Sequence, residues 1–303
     1  MDVSDLRPLA GGWSGETFLA EAAGERTVVR IYTPGRRDDS APEIDAAVLR
    51  LVRGLVPVPD VLEVRRGSAV ADQPGLLVTS YLPGERGDLL LPTLDTTGLR
   101  TLGARLGQLV AGLSGMPTLR AGMFVDPELT IADLGLADGL PGFVAEREAR
   151  LGWPAEQLGR LHRLAEDAQA LLDTVGRTCL VHSDANPKNL LVDPATLTVT
   201  GLLDWEFAHS GHPFTDLGNL LRFDRHPAYV EAVLGAWCER RGGTLDEALD
   251  LARAADLWAL VDLAARAGQN PVADAAAGLL SAIATAGDLH GVPAGWTNGG
   301  APA

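Results

Sequence analysis

One stretch constrains this chain more than any other. Leu180-Val181-His182-Ser183-Asp184-Ala185-Asn186-Pro187-Lys188-Asn189-Leu190-Leu191-Val192-Asp193 passes from an apolar run through a polar loop into a second apolar run, and Gly201-Leu202-Leu203-Asp204-Trp205-Glu206 supplies a third. Apolar runs bounded by turn-forming polar residues read as strand, loop, strand, turn, strand. Asp184 precedes Asn189 by five residues on a short, rigid connection. A free carboxylate (Asp184) and two metal-binding oxygens (on Asn189 and Asp204) then converge in a small volume. The plain alternative is that Asp184 and Asn189 only form turns between buried strands.

Phosphoryl transfer from a nucleotide needs such a set. One carboxylate takes the proton of the attacking hydroxyl, while an amide and a second carboxylate hold magnesium on the donor's phosphates. Magnesium takes hard oxygen ligands and retains water, so one Asn and one Asp suffice beside phosphate oxygens. The loop and the Asp204-Trp205-Glu206 tripeptide resemble those of the aminoglycoside phosphotransferase family, which shares the protein-kinase-like fold. The segment from His182 to Asp216 carries the specific part of that resemblance. It implies an α+β, two-lobed fold, with a small N-terminal antiparallel β lobe over residues 1–82 and a larger, mainly helical lobe over 83–303.

On this resemblance Asp184 is the base, and Asn189 and Asp204 hold Mg2+. Asp216, opening the next helix, anchors the backbone of the catalytic loop, although any helix can use an Asp as its N-cap. The loop departs from the family in three places. Ser183 stands where Gly is commoner, and Asn186 and Lys188 replace the usual His and Gly.

The N-terminal third reads as strands. Gly11-Gly12-Trp13-Ser14-Gly15 precedes an alternating run, and Thr27-Val28-Val29-Arg30-Ile31-Tyr32 follows a turn at Glu25-Arg26. Glycines at a hairpin tip let backbone amides approach phosphates, so Gly12, Ser14 and Gly15 are candidate nucleotide contacts; an ordinary tight hairpin has the same composition. Kinase-like proteins carry Lys where this strand has Arg30, and a helical Glu pairs with it. Here the helix over 43–55 offers Asp45, so a longer cation meets a shorter acid; Glu43 is the alternative partner. Ser80 and Leu82, before the Pro83-Gly84 turn, mark the expected interlobe segment where a nucleobase would meet backbone groups.

From about residue 96 the apolar period changes to that of helices. Leu99, Leu102, Leu106, Leu109, Val110 and Leu113 form one stripe, and Leu158, Leu161, Leu164, Ala165, Ala168, Leu171 and Leu172 form another. Both are expected in the core. Residues 118–155 resist assignment. His209 and His212 lack metal-ligand company.

The balance of 25 basic and 40 acidic residues, a net charge of -15, argues against nucleic acid. It favours a cationic acceptor, with Asp133, Asp138, Glu146, Glu148 and Asp224 as candidate contacts, or simply a soluble acidic surface. No apolar run spans a membrane and the N-terminus lacks a leader-like pattern; with Cys179 and Cys238 distant and unpaired, the cytoplasm is the expected compartment. The expected activity is transfer of the γ-phosphoryl group of Mg-ATP or Mg-GTP to a hydroxyl of an antibiotic-like acceptor. The alternatives are a metabolic kinase for choline, a sugar, homoserine or a glycated amine, and a nucleotide-binding scaffold without catalysis.

Overall fold

The alternating runs of the N-terminal third form a twisted antiparallel sheet. The computed structural model describes residues 6–9, 15–22, 24–133, 135 and 139–296. In chain order, β1 (Leu6–Pro8), β2 (Gly15–Ala22) and β3 (Glu25–Tyr32) precede helix α1 (Ala41–Val52), with β4 (Val61–Arg65) and β5 (Gly75–Ser80) after it. Next come β6 (Glu85–Arg86), α2 (Gly87–Leu90), α3 (Thr96–Leu113), β7 (Pro117–Thr118), β8 (Gly122–Phe124) and β9 (Ile131–Ala132). The chain continues through α4 (Gly139–Leu151), α5 (Ala155–Leu172), β10 (Thr178–Val181), β11 (Leu190–Val192), β12 (Val199–Leu202) and β13 (His209–Gly211). It ends in α6 (Thr215–Leu221), α7 (Pro227–Arg241), α8 (Leu245–Ala264) and α9 (Pro271–Ala286).

Two compact units emerge, and neither is continuous in sequence. The first gathers residues 1–90, 122–132 and 187–209, and the second 91–121, 133–186 and 210–303. In the first, the sheet order is β1-β2-β3-β5-β4. Arg30 pairs with Thr17 on one side and Leu77 on the other, so it sits mid-strand in a central position. Pro42 near the start of α1 suits a first turn, whose amides lack helical acceptors anyway. The helix buries Ala46, Val48, Leu49 and Val52. A second, small sheet runs β12-β11-β6 and buries Leu190, Val192 and Leu202. The Leu202 amide donates to the Pro57 carbonyl at 2.8 Å, tying the small sheet to the segment after α1.

The second unit is helical. Most of the stripe residues read from the sequence are its core, with Leu102, Leu106, Leu113, Leu161 and Ala165 all at most 1% exposed, whereas Leu109, Leu158 and Leu171 at the stripe edges are only half-buried. Residues 118–155, which had no assignable pattern, contain α4 of this unit and the short β8–β9 hairpin, which belongs to the first. Short strands and Gly/Pro punctuation hide periodicity there. Thr244 and Glu247 close a reciprocal capping box at the start of α8. Among the described residues, no helix is long and apolar enough to cross a membrane.

α3 packs closely on α7 because two glycines let the backbones approach. A Cβ on Gly103 would lie 2.9 Å from the Tyr229 carbonyl oxygen, and one on Gly107 would overlap the Val233 carbonyl. In an exposed helix, Gly→Ala stabilises by about 1 kcal/mol. Here the sign should reverse: Gly107→Ala is expected to cost about 1–3 kcal/mol through overpacking, read as a lower urea midpoint with unchanged slope.

A titration also follows from burial. His212 accepts from the Phe214 amide through Nδ1 (3.4 Å) and reaches the Leu172 carbonyl through Nε2 (3.3 Å). Burial pulls its pKa from 6.5 to about 4, against the contrary pull of the Leu172 carbonyl. As pH falls from 6.5 toward 4, the unfolded chain gains a proton that the folded one refuses, so stability falls across that window by up to about 3 kcal/mol. Equilibrium unfolding at several pH values should show this slope in the wild type and a shallower one in His212→Gln.

Candidate active site

Each unit holds part of the expected machinery. In the first unit, β11 and β12 pair Leu190 with Leu202. One step beyond, the Leu203 amide donates to the Asn189 carbonyl at 2.8 Å. This ladder sets Asn189, which is buried, beside the residue pair Leu203-Asp204. Asp204 adopts a left-handed backbone with φ of 65°, turning the chain sharply into Trp205-Glu206-Phe207. Trp205 is buried and donates its indole N–H to the Leu202 carbonyl at 2.9 Å, fixing the turn.

The carboxylates on this turn meet arginines from the sheet side of the same unit. Arg30 donates from Nη1 to Asp204 Oδ1 at 2.8 Å and from Nη2 to Glu206 Oε2 at 2.6 Å. Arg37 makes a forked pair with Asp45, at 2.8 and 2.9 Å, and lies 3.8 Å from Glu206 Oε2. The Tyr32 hydroxyl adds a third hydrogen bond to Asp45, at 2.7 Å. A row of alternating charge results: Asp45, Arg37, Glu206, Arg30, Asp204. Burial opposes the charge on both arginines, but the surrounding acids outweigh it and raise their pKa values further. Tyr32 is pushed up by burial and by Asp45, so it stays a donor.

This corrects the expected salt bridge between Arg30 and Asp45. Asp45 takes its fork from Arg37, and Arg30 reaches Asp204 and Glu206 instead. The physical reason is reach. Asp45 is one carbon shorter than Glu, and Arg37, in the loop before α1, approaches it closely enough for two parallel hydrogen bonds. The alternative acid, Glu43, pairs with Arg66 at 3.3 Å. Sequence reading missed Arg37 and Glu206 as members of this cluster. Glu206 lies within the quoted tripeptide, so its signal was present, whereas Arg37 stands in a Gly-Arg-Arg-Asp-Asp turn that looks like a solvated charge run.

The remaining nucleotide candidates of this unit are placed as follows. Gly15 opens β2 opposite Tyr32. Gly12 and Ser14 lie outside the described residues. Ser80 is engaged with β4's approach, its Oγ accepting from the Asp60 amide at 2.9 Å. Leu82 packs at Gly201, where a Cβ would come within 2.9 Å of its Cδ1.

In the second unit, β10 delivers His182 and the start of the loop. His182 is fully buried, and its Nδ1 accepts from the Asp184 amide at 3.2 Å, leaving its ring proton on Nε2. Asp216, in the first turn of α6, accepts from the His182 amide at 2.9 Å and the Ser183 amide at 2.8 Å. Asn219, one turn on, accepts from the Ala185 amide at 3.2 Å. Its amide then donates to Asp256, which a buried Arg222 grips through three hydrogen bonds of 2.7–3.0 Å. Side chains of α6, braced by Asp256 of α8, thus fix three loop amides, those of His182, Ser183 and Ala185, on either side of Asp184. The Asp184 carboxylate is oriented by the Asn186 side-chain amide at 2.5 Å. Lys188 is exposed.

The residue types suit magnesium: Asn189 and Asp204 carry hard oxygen donors, and the backbone ladder brings Asn189 beside Leu203, the neighbour of Asp204. Among the described residues no group of three or more His, Cys, Asp or Glu is disposed to hold a metal by itself. A cation here would therefore need the phosphates as its other ligands, as in kinases.

Ser183 has a φ of 66°, the left-handed region. That explains why glycine is favoured at this place, since an L side chain costs about 1–2 kcal/mol there. Ser183→Gly should therefore raise stability, by about 0.5–1 kcal/mol after the added freedom of the unfolded chain is deducted. Calorimetric melting of the two proteins in parallel is the check.

Comparison with known proteins follows the same outline. The chain is 30% identical over 243 residues to an aminoglycoside 3'-phosphotransferase of Streptomyces fradiae, covering 76% of this chain and 85% of that one. It is 27% identical over 218 residues to acyl-CoA dehydrogenase family member 10 of Mus musculus, covering 68% of this chain but spanning only 19% of that protein's length. Among solved structures, a microcompartment-associated aminopropanol kinase superposes with a TM-score of 0.65 at 20% identity, covering 95% and 96% of the two chains. The aminoglycoside phosphotransferase APH(4)-Ia, in ternary complex with AMP-PNP and hygromycin B, gives 0.64 at 19% identity over 94% and 95%. These likenesses show the expected α+β, two-lobed kinase-like fold. The pattern of the Phosphotransferase enzyme family, APH, matches residues 5–251. The chain belongs to that family.

Proposed function

We propose that this protein is a small-molecule kinase, passing the γ-phosphoryl group of a magnesium nucleotide, ATP or GTP, to a hydroxyl of a small acceptor. The observation that carries this is the treatment of Asp184. Three neighbouring amides are pinned by Asp216 and Asn219, and its own carboxylate accepts from the Asn186 side-chain amide. A carboxylate oriented in this way is suited to accept the acceptor's proton. In the other unit, Asn189 and Asp204 would hold magnesium, which supplies positive charge against the phosphate oxygens. Arg30, on Asp204 and Glu206, stands on the strand that contacts phosphates in kinase-like proteins. Intact polar groups at all these positions argue against a scaffold that has lost catalysis.

The solved APH(4)-Ia complex contains AMP-PNP, which supports a nucleotide donor. For the acceptor, the Streptomyces fradiae relative is an aminoglycoside kinase and the structural neighbour an aminopropanol kinase. Both names describe amine-bearing alcohols, so we read the acceptor as a hydroxylated small molecule of the aminoglycoside or amino-alcohol kind. Choline, sugar, homoserine and glycated-amine kinases remain the metabolic alternatives. The net charge of -15 favours a cation at long range. The individual acids named from the sequence support it less: Glu146 pairs with Arg147, Glu148 with His162, and Asp133 caps the Gly135 amide. Asp138 lies outside the described residues. A nucleotide-using enzyme of this kind fits the cytoplasm, with residues 1–82 serving the donor and 83–303 the acceptor.

Asp184→Ala should lower turnover about a hundredfold to ten-thousandfold and leave nucleotide affinity near wild type. Asp204→Ala should instead remove the magnesium-dependent part of nucleotide affinity. Calorimetry with and without magnesium, beside phosphate-transfer assays on a panel of hydroxylated amines and sugars, separates the two. Near wild-type turnover in Asp184→Ala would take that residue out of the mechanism.

A further inference from the structure

The second unit contains a cavity that the candidate catalytic residues do not line. It measures about 260 Å³ and is enclosed by the end of α5, the approach to α6, the end of α7 and the start of α8. Asp184, Asn186, Asp216 and Asn219 are all absent from its walls. The sequence leaves this space open at the α7–α8 link. α7 stops at Gly242, whose amide donates back to the Cys238 carbonyl at 2.7 Å, and Gly242 and Gly243 take φ of 82° and 86°, a geometry that suits glycine. α8 then starts at its Thr244–Glu247 capping box. The turn is made by two residues without side chains, and a Cβ on either would meet nothing closer than 3.9 Å.

The walls are apolar and aromatic. Leu171 and Leu251 face the same space as Phe214 and Trp237, whose ring centroids lie 4.5 Å apart. Both rings are set in the core, at 7% and 3% exposed. The charge in the walls is of one sign. Two of the eleven lining residues are acids, Glu247 and Asp250, and none is Lys, Arg or His. These acids stand three residues apart on α8, which makes them neighbours on a helix. Each spends one oxygen inside the protein. Glu247 Oε2 takes the Thr244 amide at 3.1 Å and the Thr244 hydroxyl at 2.8 Å, and Asp250 Oδ1 takes the His290 ring at 2.7 Å. Among the described residues, no donor is bonded to Glu247 Oε1 or Asp250 Oδ2.

We propose that this cavity binds a small organic cation, an ammonium group on an apolar body, with the body against Phe214 and Trp237 and the charge toward Glu247 and Asp250. Size, wall and charge each support it. A cavity of roughly 150 Å³ already accepts benzene, so this one has room for a ring and a substituent. Aromatic faces attract a cation electrostatically, Trp most strongly. An anion would meet two like charges with no basic residue to offset them, and a neutral molecule would leave both free carboxylate oxygens unanswered. Binding here needs neither nucleotide nor phosphoryl transfer. Phe214 also joins the cavity to the catalytic loop. Its carbonyl accepts from the Gly218 amide at 2.9 Å in α6, and Asp216, two residues on, holds the His182 and Ser183 amides. A ligand seated on this ring therefore rests against the start of the helix that fixes the loop.

Benzylammonium, benzyl alcohol and benzoate share a shape and differ in charge, so they are the probes, used on the full chain. The indole N–H of Trp237 is buried without a hydrogen-bond partner. It gives one NMR resonance, identified by its loss in Trp237→Phe. Benzylammonium at millimolar concentration should shift this resonance, benzyl alcohol should shift it less at equal concentration, and benzoate should leave it in place. No response to any of the three overturns the site.

The charge assignment is tested by Glu247→Gln with Asp250→Asn. Gln still serves a capping box, and Asn keeps an oxygen for His290, so the fold is retained. This double variant should bind benzylammonium about threefold to tenfold more weakly, as expected of two part-exposed ion pairs, and benzyl alcohol as wild type does. If benzoate or benzyl alcohol binds wild type as tightly as benzylammonium, or if the double variant keeps full affinity for the cation, the cationic class is overturned. Leu171→Trp puts a larger ring into the cavity and should abolish the rise in melting temperature that benzylammonium gives wild type; a full rise places the ligand elsewhere and overturns the site. Benzylammonium carries no hydroxyl to phosphorylate, and its binding should persist in Asp184→Ala, so failure of the catalytic assignment does not mimic failure of this one.

Discussion

A carboxylate withdrawn from water must be given donors, and both compact units are organised by meeting that demand. In the first, Glu206 and Asp45 are nearly inaccessible, and Arg30, Arg37 and the Tyr32 hydroxyl close around them. In the second, Asp216 and Asp256 are each about 3% exposed, one satisfied by backbone amides of the loop and the other by Arg222 and Asn219. Removing one partner from such a set leaves an uncompensated buried charge, which costs more than the intact pair contributes. These carboxylates therefore act less as a source of net stability than as fixed points. They decide which backbone conformation is allowed around Asp184 and Asp204.

The same demand explains the backbone strain. Ser183 and Asp204 both adopt left-handed geometry, and each is held in it by neighbours: Asp216 on the Ser183 amide, and Trp205 bonded back to Leu202 beside Asp204. Strained residues of this kind persist only when their surroundings over-determine them.

Much of this was legible in the sequence, for stated reasons. The strand-loop-strand of 180–206 was readable because apolar runs and turn residues alternate cleanly, and the family pattern confirms it. The helical stripes at Leu102, Leu106 and Leu113 were readable because burial imposes a 3.6-residue period. The partner of Asp45 was not. Periodicity reports which face is buried, not which of several nearby cations has the reach, and Arg37 looked like one more charge in an exposed turn. The β8–β9 hairpin and α4 were hidden because their elements are short or begin at glycine.

The discontinuity of the first unit has a consequence for synthesis. Its large sheet and α1 are complete by residue 80, yet the segment 187–209, which brings Asp204 and Glu206 to Arg30, is more than a hundred residues further on. At cellular elongation rates that gap lasts on the order of ten seconds. During it, the nascent sheet carries Arg30 without Glu206 and lacks the β11–β12 ladder. The emerging chain is thus exposed to holdase chaperones and proteases in a state the finished protein never visits, and the arrival of a single tripeptide, Asp204-Trp205-Glu206, marks its end.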